Sequence, residues 1–148
     1  LEDRVRQTLR LVTAEAEQNA VAIEIRAGEG FPRAEVDPDK VRQVLLNIFL
    51  NALAAMPGGG SLSIALNRLE DALEIAVSDT GEGIRQENLP RIYDPYYTSK
   101  PAGTGLGLAV AQKIMDAHGG AIEVESREGA GTRVTLRFPH TEKEGMGQ

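Results

Sequence analysis

The sequence predicts an α/β fold: a two-layer α/β sandwich whose mixed, mostly antiparallel sheet of about five strands carries three helices on one face. Two observations predict it. Three stretches repeat apolar residues at the spacing of an amphipathic helix, and five others alternate apolar and polar residues with the period of a half-buried strand.

Residues 1–19 carry Val5, Leu9, Val12 and Ala16 on one helical face. Val21, Ile23 and Ile25 then alternate as a strand, and "GEGFP" turns the chain. Asp37 followed by Pro38 is an N-cap and a first-turn proline, so a second helix starts there and runs to about Met56, where "PGGG" ends it. The stretches Leu62/Ile64/Leu66 and Leu73/Ile75/Val77, separated by "NRLED", read as a hairpin. Residues 84–103 hold Pro90, Pro95, Pro101 and all three tyrosines, and read as a long ordered loop or lid. A third helix over 104–118 stops at Gly119–Gly120, and two last strands carry Ile122/Val124 and Val134/Leu136/Phe138.

At 148 residues the chain is expected to form one main domain, over 21–140, followed by a frayed tail over 141–148. The helix over 1–20 is expected to continue from an upstream domain, since the chain opens at Leu1 without a Met and already reads as helix. Aromatics are 4% and Trp is absent, so the core is aliphatic. A net charge of −6 argues against nucleic acid or an anionic membrane as partner. With no Cys, disulfides and thiolate metal sites are excluded, and a reducing compartment fits. There is no apolar run of membrane-spanning length.

In "LEIAVSDTGEGI", residues Leu73, Ile75 and Val77 mark the buried face, and the next residue on that face is Asp79. A buried, ionised carboxylate without a partner costs several kcal/mol. Thr132, two residues before Val134, falls on a core-facing parity as well. A carboxylate and a hydroxyl at the rim of one core can together read a small polar edge, such as an amine with a water beside it. Asp-x-Gly after a strand also bonds its own backbone in a simple turn.

The second helix is apolar nearly all round, with Val44, Ile48 and Ala52 in one row and Leu46, Leu50 and Leu53 in another. Its one polar stripe is Lys40, Gln43, Asn47 and Asn51. Such a stripe is what the solvated side of a helix looks like, yet Asn is a poor helix former and two amide oxygens one turn apart suit Mg²⁺. Finally, "AGTGLGLAVAQKI" places Gly103, Gly105 and Gly107 at the entrance to the third helix, where backbone N–H groups and the helix dipole favour an anion. Glycines there also serve a plain tight turn. An amine-reading carboxylate, a divalent-ion pair and a phosphate cradle are the three needs of one ligand, an adenine nucleotide with Mg²⁺.

On these residues the chain closely resembles the catalytic ATP-binding domain of bacterial sensor histidine kinases, a fold shared with gyrase, heat-shock chaperone and mismatch-repair ATPases. "QVLLNIFLNALAAMPGGG" resembles the asparagine box, "DTGEGI" the first glycine box and "RIYDPYYTSK" the aromatic F box. "GTGLGLAVAQKI" resembles the second glycine box and "GAGT" the last one. The resemblance implies that Asp79 binds the adenine amino group, that Gly83, Ile84 and Thr132 complete the base pocket, and that Ala55 and Gly81 also bind the nucleotide. It implies that Asn51 holds Mg²⁺ with Asn47 beside it, and that Lys100 reaches the terminal phosphates. Gly105 and Gly107 would offer backbone N–H groups to them, and Gly103, Thr104, Leu106 and Leu108 would also bind the nucleotide.

The F-box phenylalanines are tyrosines here, Tyr93, Tyr96 and Tyr97, and the segment with the phosphoacceptor histidine is missing. Only His118 and His140 are present, in contexts that read as structural. In the related ATPases the helix position one turn before the metal-binding Asn carries a Glu that serves as base for water. Here it is Asn47, which cannot take a proton at neutral pH. The resemblance therefore implies a histidine kinase: ATP and Mg²⁺ as cofactors, a histidine-bearing dimerisation domain of the parent as partner, and a response regulator indirectly. It also implies a cytoplasmic location below a parent that can be membrane-anchored. An anti-sigma-type serine kinase, an ATPase cycle and a nucleotide-gated interaction module on the same fold are the alternatives.

Overall fold

The computed structural model of the chain describes residues 2–27, 36–84, 86–91 and 106–139. Its elements are α1 (Glu2–Gln18), β1 (Val21–Ala27), α2 (Pro38–Ala54), β2 (Gly60–Arg68), β3 (Ala72–Asp79), a 3-10 helix (Gln86–Arg91), α3 (Leu106–Ala117), β4 (Ala121–Arg127) and β5 (Gly131–Pro139). The sheet runs β1-β2-β3-β5-β4, parallel between β1 and β2 and antiparallel elsewhere. This is the mixed five-stranded sheet with three helices that the alternation and helical spacing predict.

The strand period decides which face each residue takes. Leu62, Ile64 and Leu66 of β2, Ile75 and Val77 of β3, and Val134, Leu136 and Phe138 of β5 share the covered face and are buried in one cluster with all three helices. Small or polar residues occupy the other face, where Arg137 donates to Glu74 (3.2 Å) and Glu123 (3.2 Å) across three strands. These bonds, the one to Glu123 foremost, hold the Arg137 guanidinium above its ordinary pKa although partial burial opposes them.

α2 is the central helix, packed on both α1 and α3 and against β3. Val41, Val44, Leu45, Ile48, Phe49, Ala52 and Leu53 are buried. Both apolar rows meet the core: Leu53, one turn after Phe49, is buried, while Leu46 and Leu50 are half-buried at the core's edge. The helix ends at Ala54 with Ala55 as C-cap, slightly short of the expected Met56.

Two devices fix where α2 begins. The Asp37 carboxylate accepts from the N–H groups of Asp39 (3.0 Å) and Lys40 (3.3 Å), with Pro38 in the first turn. The Asp37 N–H donates to Nε2 of His118 (3.0 Å), so the ring proton sits on Nδ1, which donates to the Ile114 carbonyl (2.8 Å). His118 also meets Phe138 edge-on, with ring centroids 6.2 Å apart. It is a packing residue that ties the end of α3 to the start of α2. Asp37→Ala is expected to cost about 0.5–2 kcal/mol through the lost cap. The urea midpoint should fall with an unchanged slope, and an unchanged midpoint would mean that the cap adds nothing to stability.

Among its described residues, the expected irregular segment over 84–103 contains one regular piece, the 3-10 helix Gln86–Arg91 with Pro90 inside it. Pro fixes its own φ near the helical value, which suits a short tight helix that tolerates a missing donor. The rest of that segment from residue 92, the "GEGFP" turn, the residues 104 and 105 expected to open α3, His140 and the tail lie outside the described residues. No helix among the described residues is long and apolar enough to cross a membrane.

Candidate functional site

Asp79 is the last residue of β3, and it stands between Leu62 of β2 and Thr132 of β5 in one row across the sheet. Leu62 is fully buried, so Asp79 shares the core face, as its parity predicts. The burial itself is only partial, because the strand ends there and the chain turns away through exposed Thr80. The desolvation cost is correspondingly smaller than for a carboxylate inside the core. Oδ1 accepts the N–H of Gly81 (2.8 Å) and the N–H of Thr132 (3.2 Å). The local turn and the cross-strand tie are both present in the same side chain.

The turn after Asp79 is seated on the C-terminus of α2. The N–H of Glu82 donates to the Ala55 carbonyl (3.2 Å), and a Cβ on Gly81 would lie 2.5 Å from that oxygen and 2.7 Å from the Ala55 Cβ. Such an approach is open only to a glycine facing a small residue. The Ala55 N–H in turn bonds the Asn51 carbonyl (3.1 Å), so Asp79, Gly81, Ala55 and Asn51 belong to one junction. Thr80 braces it from outside, accepting from the Ser61 N–H (3.0 Å) and donating to the Met56 sulfur (3.7 Å).

On its far side the same turn is strapped to the β4–β5 hairpin. Gly129 N–H donates to the Glu82 carbonyl (2.7 Å), Gly83 runs against the Arg127 carbonyl, and the Ile84 N–H donates to Ser126 Oγ (2.7 Å). Ser126 Oγ also lies 2.8 Å from Thr132 Oγ1 and donates to the Gly131 carbonyl (3.1 Å). An open pocket of about 350 Å³ lies at this end of the sheet, lined by Ser78, Glu125 and Arg133 of the uncovered face as well as by Asp79, Ser126 and Thr132.

The polar stripe of α2 grades along its length: Lys40 and Gln43 are exposed, while Asn47 and Asn51 are half-buried near the junction. Leu108 in the first turn of α3 has its side chain in the core, so only its backbone can face a ligand. With Leu106 and Gly107 it forms the described part of that turn, whose N–H groups have no partner inside the helix. Lys100, Gly103, Thr104 and Gly105 lie outside the described residues. The structure thus brings Asn51, Ala55, Asp79, Gly81, Gly83, Ile84 and Thr132 to one end of the sheet. It adds Ser126 and Thr80, which sequence reasoning missed. Ser126 had a signal: it continues the Ile122/Val124 alternation as Asp79 continues that of β3.

Among known proteins, the family model described as histidine kinase-, DNA gyrase B-, and HSP90-like ATPase matches residues 36–142. Sensor histidine kinase ZraS of Escherichia coli (strain K12) is 39% identical over 135 residues, covering 91% of this chain. The chain spans only 29% of that protein's own length. Among solved structures, the nucleotide-free catalytic domain of histidine kinase ThkA superposes with a TM-score of 0.85 at 29% identity, covering 95% of this chain and 94% of that one. ThkA in complex with response regulator protein TrrA gives 0.82 at 26% identity, covering 97% and 41%. Full-length ShkA in complex with AMPPNP gives 0.83 at 26%, covering 94% and 30%. The boxes around Asn51, Asp79 and Thr132, the sheet order that joins them and a family match over most of the chain lead to one conclusion: this chain belongs to the histidine kinase-, DNA gyrase B- and HSP90-like ATPase family, and its similarities run to the catalytic domains of sensor histidine kinases.

Proposed function

We propose that this chain binds Mg²⁺–ATP at the junction of α2, β3 and the β4–β5 hairpin, and passes the γ-phosphoryl group to a histidine carried by another domain of its parent protein. The observation that carries the reading is Asp79, a carboxylate held at the rim of the core by two backbone N–H groups from different parts of the chain. Oriented in this way, it suits the exocyclic amine of adenine, with Gly81, Gly83, Ile84, Ala55 and Thr132 around the ring.

Asn47 and Asn51 are hard amide-oxygen donors one turn apart, half-buried beside the junction. Among the described residues no group of three His, Asp or Glu is placed to hold a metal ion. That suits an ion bound jointly by a protein amide and by phosphate oxygens, as Mg²⁺ commonly is with nucleotides. When bound, Mg²⁺ would neutralise charge on the transferring phosphoryl group. Lys100 would serve the terminal phosphates, and Gly103, Thr104, Gly105, Leu106, Gly107 and Leu108 would offer backbone N–H groups to them. ShkA with AMPPNP and ThkA with TrrA support nucleotide and response-regulator partners for the parent protein.

Transfer is favoured over hydrolysis because the helix position that carries a water-activating Glu in the related ATPases is Asn47 by the resemblance, and an amide takes no proton at neutral pH. The chain is therefore expected to bind Mg²⁺–ATP, to release phosphate slowly and to leave itself unlabelled by γ-labelled ATP. Adding the histidine-bearing helical domain of the parent in trans should give label on that domain, slowly, because tethering normally supplies the effective concentration. The label should be lost in acid, as phosphohistidine is. Acid-stable label on the partner would point to a serine kinase instead, and brisk phosphate release by the chain alone would mean that a group other than Asn47 activates water.

A further inference from the structure

We propose that Thr80 is a positioning residue for nucleotide binding: its hydroxyl stands in for the next rung of the β2–β3 ladder, so that β3 stops at Asp79 and the carboxylate stays at the rim where it meets the base. The proposal rests on the ATP-binding reading above and adds to it the residue that sets Asp79 in place.

The register of β2 with β3 ends on Leu62 opposite Asp79, so the next pair would be Ser61 with Thr80. β2 does extend that far, since Ser61 and Gly60 pair with β1, but β3 does not. A continued antiparallel ladder would give the Ser61 N–H to the Thr80 carbonyl. It goes instead to Thr80 Oγ1 (3.0 Å), whose own proton goes to Met56 Sδ (3.7 Å). A side chain thus takes the donor that the strand leaves behind, and the backbone is free to turn. The Gly81 N–H then reaches Asp79 Oδ1 (2.8 Å), and the Glu82 N–H reaches the Ala55 carbonyl (3.2 Å). Gly60 keeps the space for this arrangement: a Cβ there would lie 2.6 Å from both Thr80 Oγ1 and Met56 Sδ.

Without the hydroxyl, the Ser61 N–H regains a protein acceptor only if Ser61 and Thr80 join the ladder. That extension straightens the chain at residue 80, lifts Gly81 off Ala55 and withdraws the N–H that orients Asp79. Valine matches threonine in shape and favours a strand, so it removes the stop and promotes the extension. Serine keeps the hydroxyl. The damage falls on what Asp79 reads, the exocyclic amine of the base, and not on the rest of the nucleotide.

The test compares ATP with purine riboside 5′-triphosphate, which lacks the 6-amino group. Calorimetry on the unmutated chain should show ATP preferred. Thr80→Val should lower ATP affinity about three- to tenfold, the net worth of one hydrogen bond, and leave the affinity for the analogue unchanged. Thr80→Ser should keep both affinities. With Asp79→Asn already in place, Thr80→Val should lower ATP affinity no further, because it acts through that carboxylate. Should circular dichroism show that Thr80→Val does not fold, Thr80→Ala takes its place in the same comparison. If both nucleotides weaken by the same factor, Thr80 only supports the fold and the inference is overturned. It is equally overturned if the preference for ATP is unchanged, if Thr80→Ser behaves as Thr80→Val does, or if the loss persists beside Asp79→Asn. If the unmutated chain binds both nucleotides equally, Asp79 does not read the amine; if it binds neither, the ATP reading itself fails. The inference falls in both cases.

Discussion

Asp79→Asn is expected to leave the domain folded and to weaken ATP binding by about tenfold to a hundredfold. The two halves of that result have separate causes. Asn keeps one oxygen, which the N–H groups of Gly81 and Thr132 hold in the position Oδ1 has now. The turn and the β3–β5 tie therefore survive, though as neutral rather than charge-assisted bonds. The other end of the side chain becomes an NH₂ group that meets the adenine amine donor to donor. Loss of a hydrogen bond to a charged group costs about 1.5–3 kcal/mol, which is the affinity change stated. Calorimetry with ATP and a thermal melt by circular dichroism measure the two halves independently. A folded variant that binds ATP as the unmutated chain does would remove Asp79 from the base site. Equal binding of ATP and GTP by the unmutated chain would count against the assignment too.

Much of this site was legible because strand parity is a rigid rule. With a period of two, a polar residue on the apolar parity must lie at the core or at its rim, and β3 brings Asp79 there. The Asp37–Pro38 start of α2 was legible for an equally local reason, since a cap acts within one turn of helix. Long-range pairing was not. Nothing in the local pattern of "IEVES" or "RVTLRF" says that β5 inserts between β3 and β4, yet that insertion is what sets Thr132 beside Asp79. Which apolar row of α2 packs deeper was not legible, because the helix is apolar nearly all round and periodicity then has little contrast with which to choose a face. Gln86–Arg91 was read as irregular because a proline and few apolar residues leave a 3-10 turn without any periodic signal.

Two glycine-to-alanine variants in the β4–β5 hairpin, with Gly58 of the α2–β2 turn as a control, separate what the hairpin needs in backbone freedom from what it needs in space. At Gly58 no atom lies within 4 Å of an added Cβ and φ is not positive, so the substitution should be neutral or slightly stabilising, through a less flexible unfolded chain. At Gly129, φ is +83° and an added Cβ again meets nothing, so the cost is backbone strain alone, about 1–2 kcal/mol. Gly131 combines the two: φ is +98°, and an added Cβ would overlap the Asp79 carbonyl oxygen. Since a backbone oxygen in a paired strand cannot swing aside, β5 must move away from β3. The expected cost rises to about 2–4 kcal/mol, strain and overpacking together, or on the order of 10 °C in Tm for a chain of this size. The displacement opens the Thr132–Asp79 tie, so Gly131→Ala should also lose most of its ATP affinity. Mg²⁺–ATP should then raise the melting temperature of the unmutated, Gly58 and Gly129 chains but hardly that of the Gly131 variant, because a ligand stabilises only the fold it binds. If Gly129→Ala and Gly131→Ala cost the same, only the left-handed backbone matters and the close approach to Asp79 has no energetic weight. If Gly131→Ala is destabilised but still gains fully from ATP, the base site does not depend on the separation of β3 and β5 at Asp79.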